Sequence, residues 1–129
     1  MTILHFHNAR LIDPETGTDA PGSLTVKDGA ILDRDGKAPK GATLVDCGGK
    51  CLAPGIVDLG VKIGEPGERH RESFGSAGAA AAAGGVTTII ARPDTSPAID
   101  TPEVLEFVTR RAAESPVRIR HMAALTKGR

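Results

Sequence analysis

No feature limits the fold of this chain more than the stretch from Leu52 to Thr95, LAPGIVDLGVKIGEPGERHRESFGSAGAAAAAGGVTTIIARPDT. Ile56 to Ile63 has the apolar, β-branched texture of a buried strand. Ser73 to Ala83 reads as a helix, with Ser73 placed to cap it and an alanine run to fill it. Gly84-Gly85 stops that helix, because glycine accepts the left-handed conformation that helix ends adopt. Val86 to Ala91 is apolar or Thr throughout, which suits a strand covered on both faces.

The pattern then repeats. Asp100-Thr101-Pro102-Glu103 opens a second helix that reaches about Glu114. Asp100 or Thr101 caps it, Pro102 fits its first turn, and Glu103 meets the positive end of its dipole. Val104, Leu105 and Val108 form its apolar side, and Val117 to Leu125 follows as a third strand. Strand, helix, strand, helix, strand implies two right-handed crossovers and therefore parallel strands.

Residues 2–53 have another texture, short strands divided by turn signals. Ile3 to His7 alternates, with Leu4 and Phe6 on one face and a polar face opposite. Arg10-Leu11-Ile12 is a second short strand, stopped by Asp13-Pro14. Ser23 to Lys27 and Ala30 to Asp33 flank Asp28-Gly29, a two-residue hairpin signal. Thr43 to Cys47 and Lys50 to Ala53 flank Gly48-Gly49. Five or six strands at this spacing suggest a small β-sandwich.

The composition sets the scale. With 129 residues, 2% aromatic and no Trp or Tyr, any core must be built from Val, Ile, Leu and Ala. The alanine run buries little area per residue, so such a core is marginal for a chain of this size. A closed (β/α)8 barrel needs eight strands and about 250 residues, and three parallel strands leave open edges. The expectation is a portion of something larger, completed by more of its own chain or by another. Sixteen basic and sixteen acidic residues cancel, which favours neither nucleic acid nor an anionic membrane as partner. The start, MTILHFHNAR, lacks the basic and apolar regions of a signal peptide, and a cytoplasmic location is expected. Cys47 and Cys51 stand in CGGKC with nothing nearby to complete a four-ligand zinc site. They read as small residues at strand ends, unpaired in a reducing compartment.

Pro54, Gly55, Asp58, Glu65, Pro66, Gly67, Gly84, Gly85, Thr87, Thr88, Pro93 and Thr95 carry a further signal through their order and spacing. In these residues the chain resembles the dihydroorotases of the amidohydrolase superfamily. Their pattern there is close to PGxxDxHxHxREPG, then an AAAAGG helix end, then MPNT. VKDGAILDRDGK likewise resembles a hairpin of that family, and the likeness runs from about Ile12 to Lys127. The fold it implies is α/β with a β N-terminal part. Residues 1–54 form a small β-sandwich segment, and residues 55–129 form the first three strands and two helices of a TIM-like barrel, truncated.

The same resemblance locates an altered site. Gly60 and Lys62 stand where the family has the two metal histidines. On a strand, residues i and i+2 point the same way, so a His-x-His pair grips one ion together. Glycine offers no donor atom, and a protonated ammonium has no lone pair. Gly64 and Asp94 stand where the family has the Arg and Asn that clamp the carboxylate of dihydroorotate. Glycine removes a bidentate donor and Asp adds repulsion. Gly60 and Lys62 are thus vestigial metal positions, and Gly64 and Asp94 vestigial substrate positions. No catalytic residue is assigned and no cofactor is predicted, zinc being the cofactor of active members. A pairing of Lys62 with Asp94 is one way to settle the vacated position; extension of Lys62 into solvent is the other.

Three histidine features read as ordinary. His5 and His7 belong to a polar strand face, His70 to the charged loop Glu68-Arg69-His70-Arg71-Glu72, and His121 to the core as a hydrogen-bonded histidine. Gly84-Gly85 lacks the pattern of a phosphate loop.

Two functions remain. One is a non-catalytic dihydroorotase-like protein that, as the resemblance implies for inactive members, serves as a structural partner of aspartate transcarbamoylase in an oligomer. The other is a fragment of an active zinc-dependent cyclic-amide hydrolase, completed by residues beyond this sequence.

Overall fold

The computed structural model describes residues 2–128, which divide into two compact units meeting at Pro54 and Gly55.

The first unit is one five-stranded mixed sheet. Its strands are β1 (Ile3–Asp13), β2 (Thr18–Lys27), β3 (Ala30–Arg34), β4 (Thr43–Asp46) and β5 (Cys51–Leu52). A single layer therefore stands where a sandwich is expected. The reason lies in β1, which takes partners on both edges and gathers the unit into one sheet. Antiparallel β2 lines one edge, while β4 and β5 pair in parallel along successive halves of the other. The two short strands expected over 3–7 and 10–12 are one strand of 11 residues. Its register shifts between Phe6 and Ala9, and Asn8 absorbs the extra residue at φ 53°. Such a bulge keeps both halves in one ladder. The Asp28-Gly29 hairpin forms as its residues demand, with both at positive φ.

The second unit is a parallel three-stranded sheet in the order β6-β7-β8, with β6 (Ile56–Val61), β7 (Val86–Ala91) and β8 (Arg118–His121). Helix α1 (Phe74–Ala83) joins the first pair of strands, and α2 (Pro102–Ala112) joins the second. Ser73 Oγ accepts the Ser76 N–H at 3.1 Å, and Ser76 Oγ accepts the Ser73 N–H at 2.9 Å, a reciprocal cap. Thr101 caps α2 through the Val104 N–H.

One core serves this unit: Ile63 and Phe74 from the first crossover, Ile89 and Ala91 from β7, Ile99, Val108 and Ala112 around α2, and Val117 and Ile119 at β8. Alternation along β7 and β8 sends these residues toward the helices. Strand β8 ends four residues before Leu125. There the chain turns, so that the Ala124 N–H donates to the Ile99 carbonyl at 2.7 Å and Leu125 is fully exposed.

Candidate functional site

The loops after β6 and β7 bring Lys62, Gly64 and Asp94 to one cavity of about 430 Å³. Lys62 follows Val61, which packs on the core, and precedes buried Ile63. Alternation therefore turns its side chain to the other face of the sheet, where it is exposed. Gly60 does not line the cavity. It sits at φ +80° inside a register shift between Leu59 and Val61. That conformation suits glycine and strains any other L-residue. The bulge also breaks the even alternation on which an i, i+2 ligand pair depends.

Gly64 is enclosed by the loop that follows it. A Cβ there would lie 2.6 Å from the Glu68 carbonyl oxygen and 3.0 Å from that of Glu72. The Glu68 N–H donates back to the Gly64 carbonyl at 2.6 Å. The loop has closed onto the space a side chain would need.

Asp94 does not pair with Lys62. Arg92 takes both its carboxylate oxygens, Nε to Oδ1 at 3.1 Å and Nη2 to Oδ2 at 3.0 Å. A fork-to-fork contact uses the carboxylate more fully than a single ammonium can. Lys62 makes no ion pair among the described residues and extends from the sheet.

Between Gly64 and Pro66, which line the cavity, Glu65 is only 4% exposed. Its Oε2 accepts the Phe74 N–H at 3.2 Å, and its Oε1 accepts from Arg111 Nε at 2.9 Å. Arg69 approaches the same carboxylate at 3.6 Å. Helix α1 has no acidic residue in its own first turn, so Glu65 supplies the negative charge its N-terminus attracts. In return the carboxylate raises the pKa of Arg111. Sequence reasoning placed Glu65 only within a motif. An acidic residue shortly before a helix that lacks one is the signal that points to this role.

The remaining candidates divide. His5 is buried, not on an open polar face, and shares a 2.9 Å hydrogen bond between Nδ1 and Thr25 Oγ1. His70 is exposed in its charged loop. His121 packs edge-on against Phe74, with ring centroids 5.5 Å apart. It is a core histidine without hydrogen bonds among the described residues, both ring nitrogens being buried with no partner there. Burial pushes its pKa below the ordinary value. Cys47 and Cys51 are free thiols. No helix among the described residues is long and apolar enough to cross a membrane.

A family model described as "Dihydro-orotase-like" matches residues 49–128. The chain belongs to the dihydroorotase-like family. It is 43% identical over 128 residues to a dihydroorotase of Anaplasma phagocytophilum, covering 93% of this chain and 29% of that one. With a dihydroorotase of Streptococcus pneumoniae the identity is 36%, over 97% of this chain and 30% of the relative. The chain thus spans less than a third of the curated relatives it matches. Among solved structures it is similar to an L-hydantoinase (dihydropyrimidinase) from Arthrobacter aurescens. That likeness has a TM-score of 0.86 and 26% identity, over 99% of this chain and 29% of the other. A dihydroorotase crystal structure shares the fold, with a TM-score of 0.64 at 17% identity, over 95% of this chain and 31% of the other.

Gly60 and Lys62, where the sequence resemblance leads one to expect metal ligands, do not have the chemistry to hold a divalent ion. Gly60 has no ligand atom, and Lys62 brings a positive charge where an ion would need lone pairs. Among the described residues no group of three or more His, Cys, Asp or Glu is placed to hold one.

Proposed function

We propose that this chain is part of a non-catalytic dihydroorotase-like protein of pyrimidine biosynthesis, one that serves as a structural partner of aspartate transcarbamoylase. One observation carries the reading: Gly60 at φ +80° followed by Lys62, a change of both backbone and side chain at the two positions where the family grips its metal. A lost ligand can be replaced by a single substitution, whereas a strand bulged around a left-handed glycine has to be rebuilt. The closed loop over Gly64 and the Arg92–Asp94 pair support the same conclusion at the substrate positions. What remains well built is the scaffold: a packed core, two capped helices and a buried carboxylate that ties the first crossover to the second. The partnership itself is carried over from the resemblance, which implies it for inactive members.

A second reading is favoured by the short span of the match. Since the chain covers 29% of a dihydroorotase to which it is 43% identical, ligands from a longer chain could assemble a hydrolase site without residues 60 and 62. Native mass spectrometry of the protein purified from its host, with metal analysis, separates the two. A longer chain bound to an aspartate transcarbamoylase subunit and free of zinc is the expected result. A zinc-loaded species without that partner, opening a cyclic amide in a chelator-sensitive reaction, would overturn it.

A further inference from the structure

The outer side of α2 carries a stripe whose charges are placed symmetrically. Val104, Val108 and Ala112 turn toward the core under the helix. Glu103, Phe107, Arg110 and Glu114 follow one another at i, i+4, i+7 and i+11 on the side away from it, all exposed. Crossover helices cover a parallel sheet from outside. The stripe therefore lies on the outer side of the layer however the sheet is continued.

Phe107 stands in the middle, 40% exposed. The chain has three Phe and no Trp or Tyr. Phe74 fills the core, whereas Phe107 occupies a helix face where polar residues are the rule. Arg111 is tied to Glu65 and to Glu114. Glu103 and Arg110 make no ion pair among the described residues, and Glu106, one turn before Arg110, makes none with it.

Glu103 and Arg110 are about 10.5 Å apart along the helix, with their midpoint between Glu106 and Phe107. A second α2 laid antiparallel across that midpoint brings each Glu103 to the Arg110 of the other copy. The two Phe107 rings then meet at the axis. A parallel arrangement sets Glu103 against Glu103, like against like. The stripe is thus complementary to itself in one orientation, as a two-fold contact demands. Packed helix axes lie about 8–10 Å apart, a gap that an aromatic pair fills and that Glu and Arg side chains bridge from its two sides.

We propose that the outer face of α2 is a two-fold contact between two copies of this chain, with Phe107 at its centre and reciprocal Glu103–Arg110 pairs on its rim. One helix pair buries less than the roughly 1,000 Å² that a permanent interface clears, so this contact alone gives a reversible dimer. The proposal does not depend on whether the protein is a hydrolase.

Sedimentation velocity over a concentration series tests it, on the purified protein at its natural length. A monomer–dimer equilibrium is expected, weakened at least about tenfold by Phe107→Ala, as for a central aromatic anchor. Glu103→Arg and Arg110→Glu should each abolish self-association, because like charges then face one another. Mixing these two variants should restore a dimer, one copy offering two cations and the other two carboxylates. Lys40→Gln, exposed in the first unit, leaves the equilibrium unchanged. Phe107→Ala, at a half-exposed position, reads the contact should either charge variant fail to fold. A parent protein that stays monomeric overturns the proposal, as happens where a longer chain covers α2 itself. A dimer indifferent to Phe107→Ala overturns it too, as does a mixture of folded charge variants that remains monomeric.

Discussion

Glu65 and Arg111 meet at 2.9 Å across 46 positions of sequence, one from the loop after β6 and the other from the last turn of α2. The contact joins the two crossovers of the second unit beneath its core. The same carboxylate receives the Phe74 N–H, the first residue of α1. Removing it leaves a buried donor unpaired, so Glu65→Ala should destabilise the protein by about 1–3 kcal/mol. Glu65→Gln keeps an oxygen for Phe74 and should cost less. Arg111→Met, which strips the outer partner only, should also fall below the alanine variant. Urea unfolding of the three variants gives the order. Equal losses for Ala and Gln would mean that the charge matters and the hydrogen bond to α1 does not.

Gly60 carries the second prediction. No atom lies within 4 Å of a Cβ built there, so space is not what excludes a side chain; the φ of +80° is. Gly60→Ala should cost about 1–2 kcal/mol, the penalty of a left-handed L-residue. For the same reason Gly60→His combined with Lys62→His should not recover tight zinc binding, because the backbone no longer aims both positions at one point. Competition against a chelating dye measures this directly. Nanomolar affinity for zinc in the double variant would falsify the account of the bulge.

These two residues also show what the sequence can and cannot convey. The two helices were legible, caps included, because a cap is decided by residues three apart: Ser73 with Ser76, Thr101 with Val104. The residue types at positions 60 and 62 are legible for the same local reason, since residue type alone decides which donor atoms Gly60 and Lys62 can offer. The continuity of β1 was not. Asn8 at φ 53° is bypassed by the ladder to β2 and is held instead by Asp46, whose Oδ1 accepts its side-chain amide at 3.0 Å, and by the Gly49 N–H, which donates to its carbonyl at 2.7 Å, and no window of ten residues contains them. The link from Glu65 to Arg111 is equally non-local. The Arg92–Asp94 pair could have been read, because residues two apart near a strand end share a face.

Gly64 yields the third prediction. Introducing an arginine by Gly64→Arg places a Cβ 2.6 Å from the Glu68 carbonyl oxygen. The loop over residues 65–72 must move, and overpacking of this kind costs about 1–3 kcal/mol. The variant should melt lower than the parent and gain no affinity for dihydroorotate, even with Asp94→Asn added. Titration calorimetry with dihydroorotate and a thermal melt read the two effects separately. Binding in the double variant without loss of stability would mean that the loop opens freely.

His121 provides the fourth, through its dependence on pH. Its ring is packed against Phe74 with both nitrogens unpartnered, and burial holds its pKa below the ordinary value. In the unfolded chain the imidazole protonates near pH ~6.5. Between that pH and its lower folded pKa, the unfolded state binds more protons than the native one. Stability must therefore rise with pH across this window and fall as the solution is acidified through it. Above the window both states are neutral and the histidine adds no slope. His121→Leu removes the titrating group together with two unsatisfied nitrogens. It should stabilise the protein by about 1 kcal/mol and flatten the curve below about pH 6.5. Denaturant midpoints measured at several pH values for both proteins decide the matter. A slope that survives in the leucine variant would assign the pH dependence to other groups.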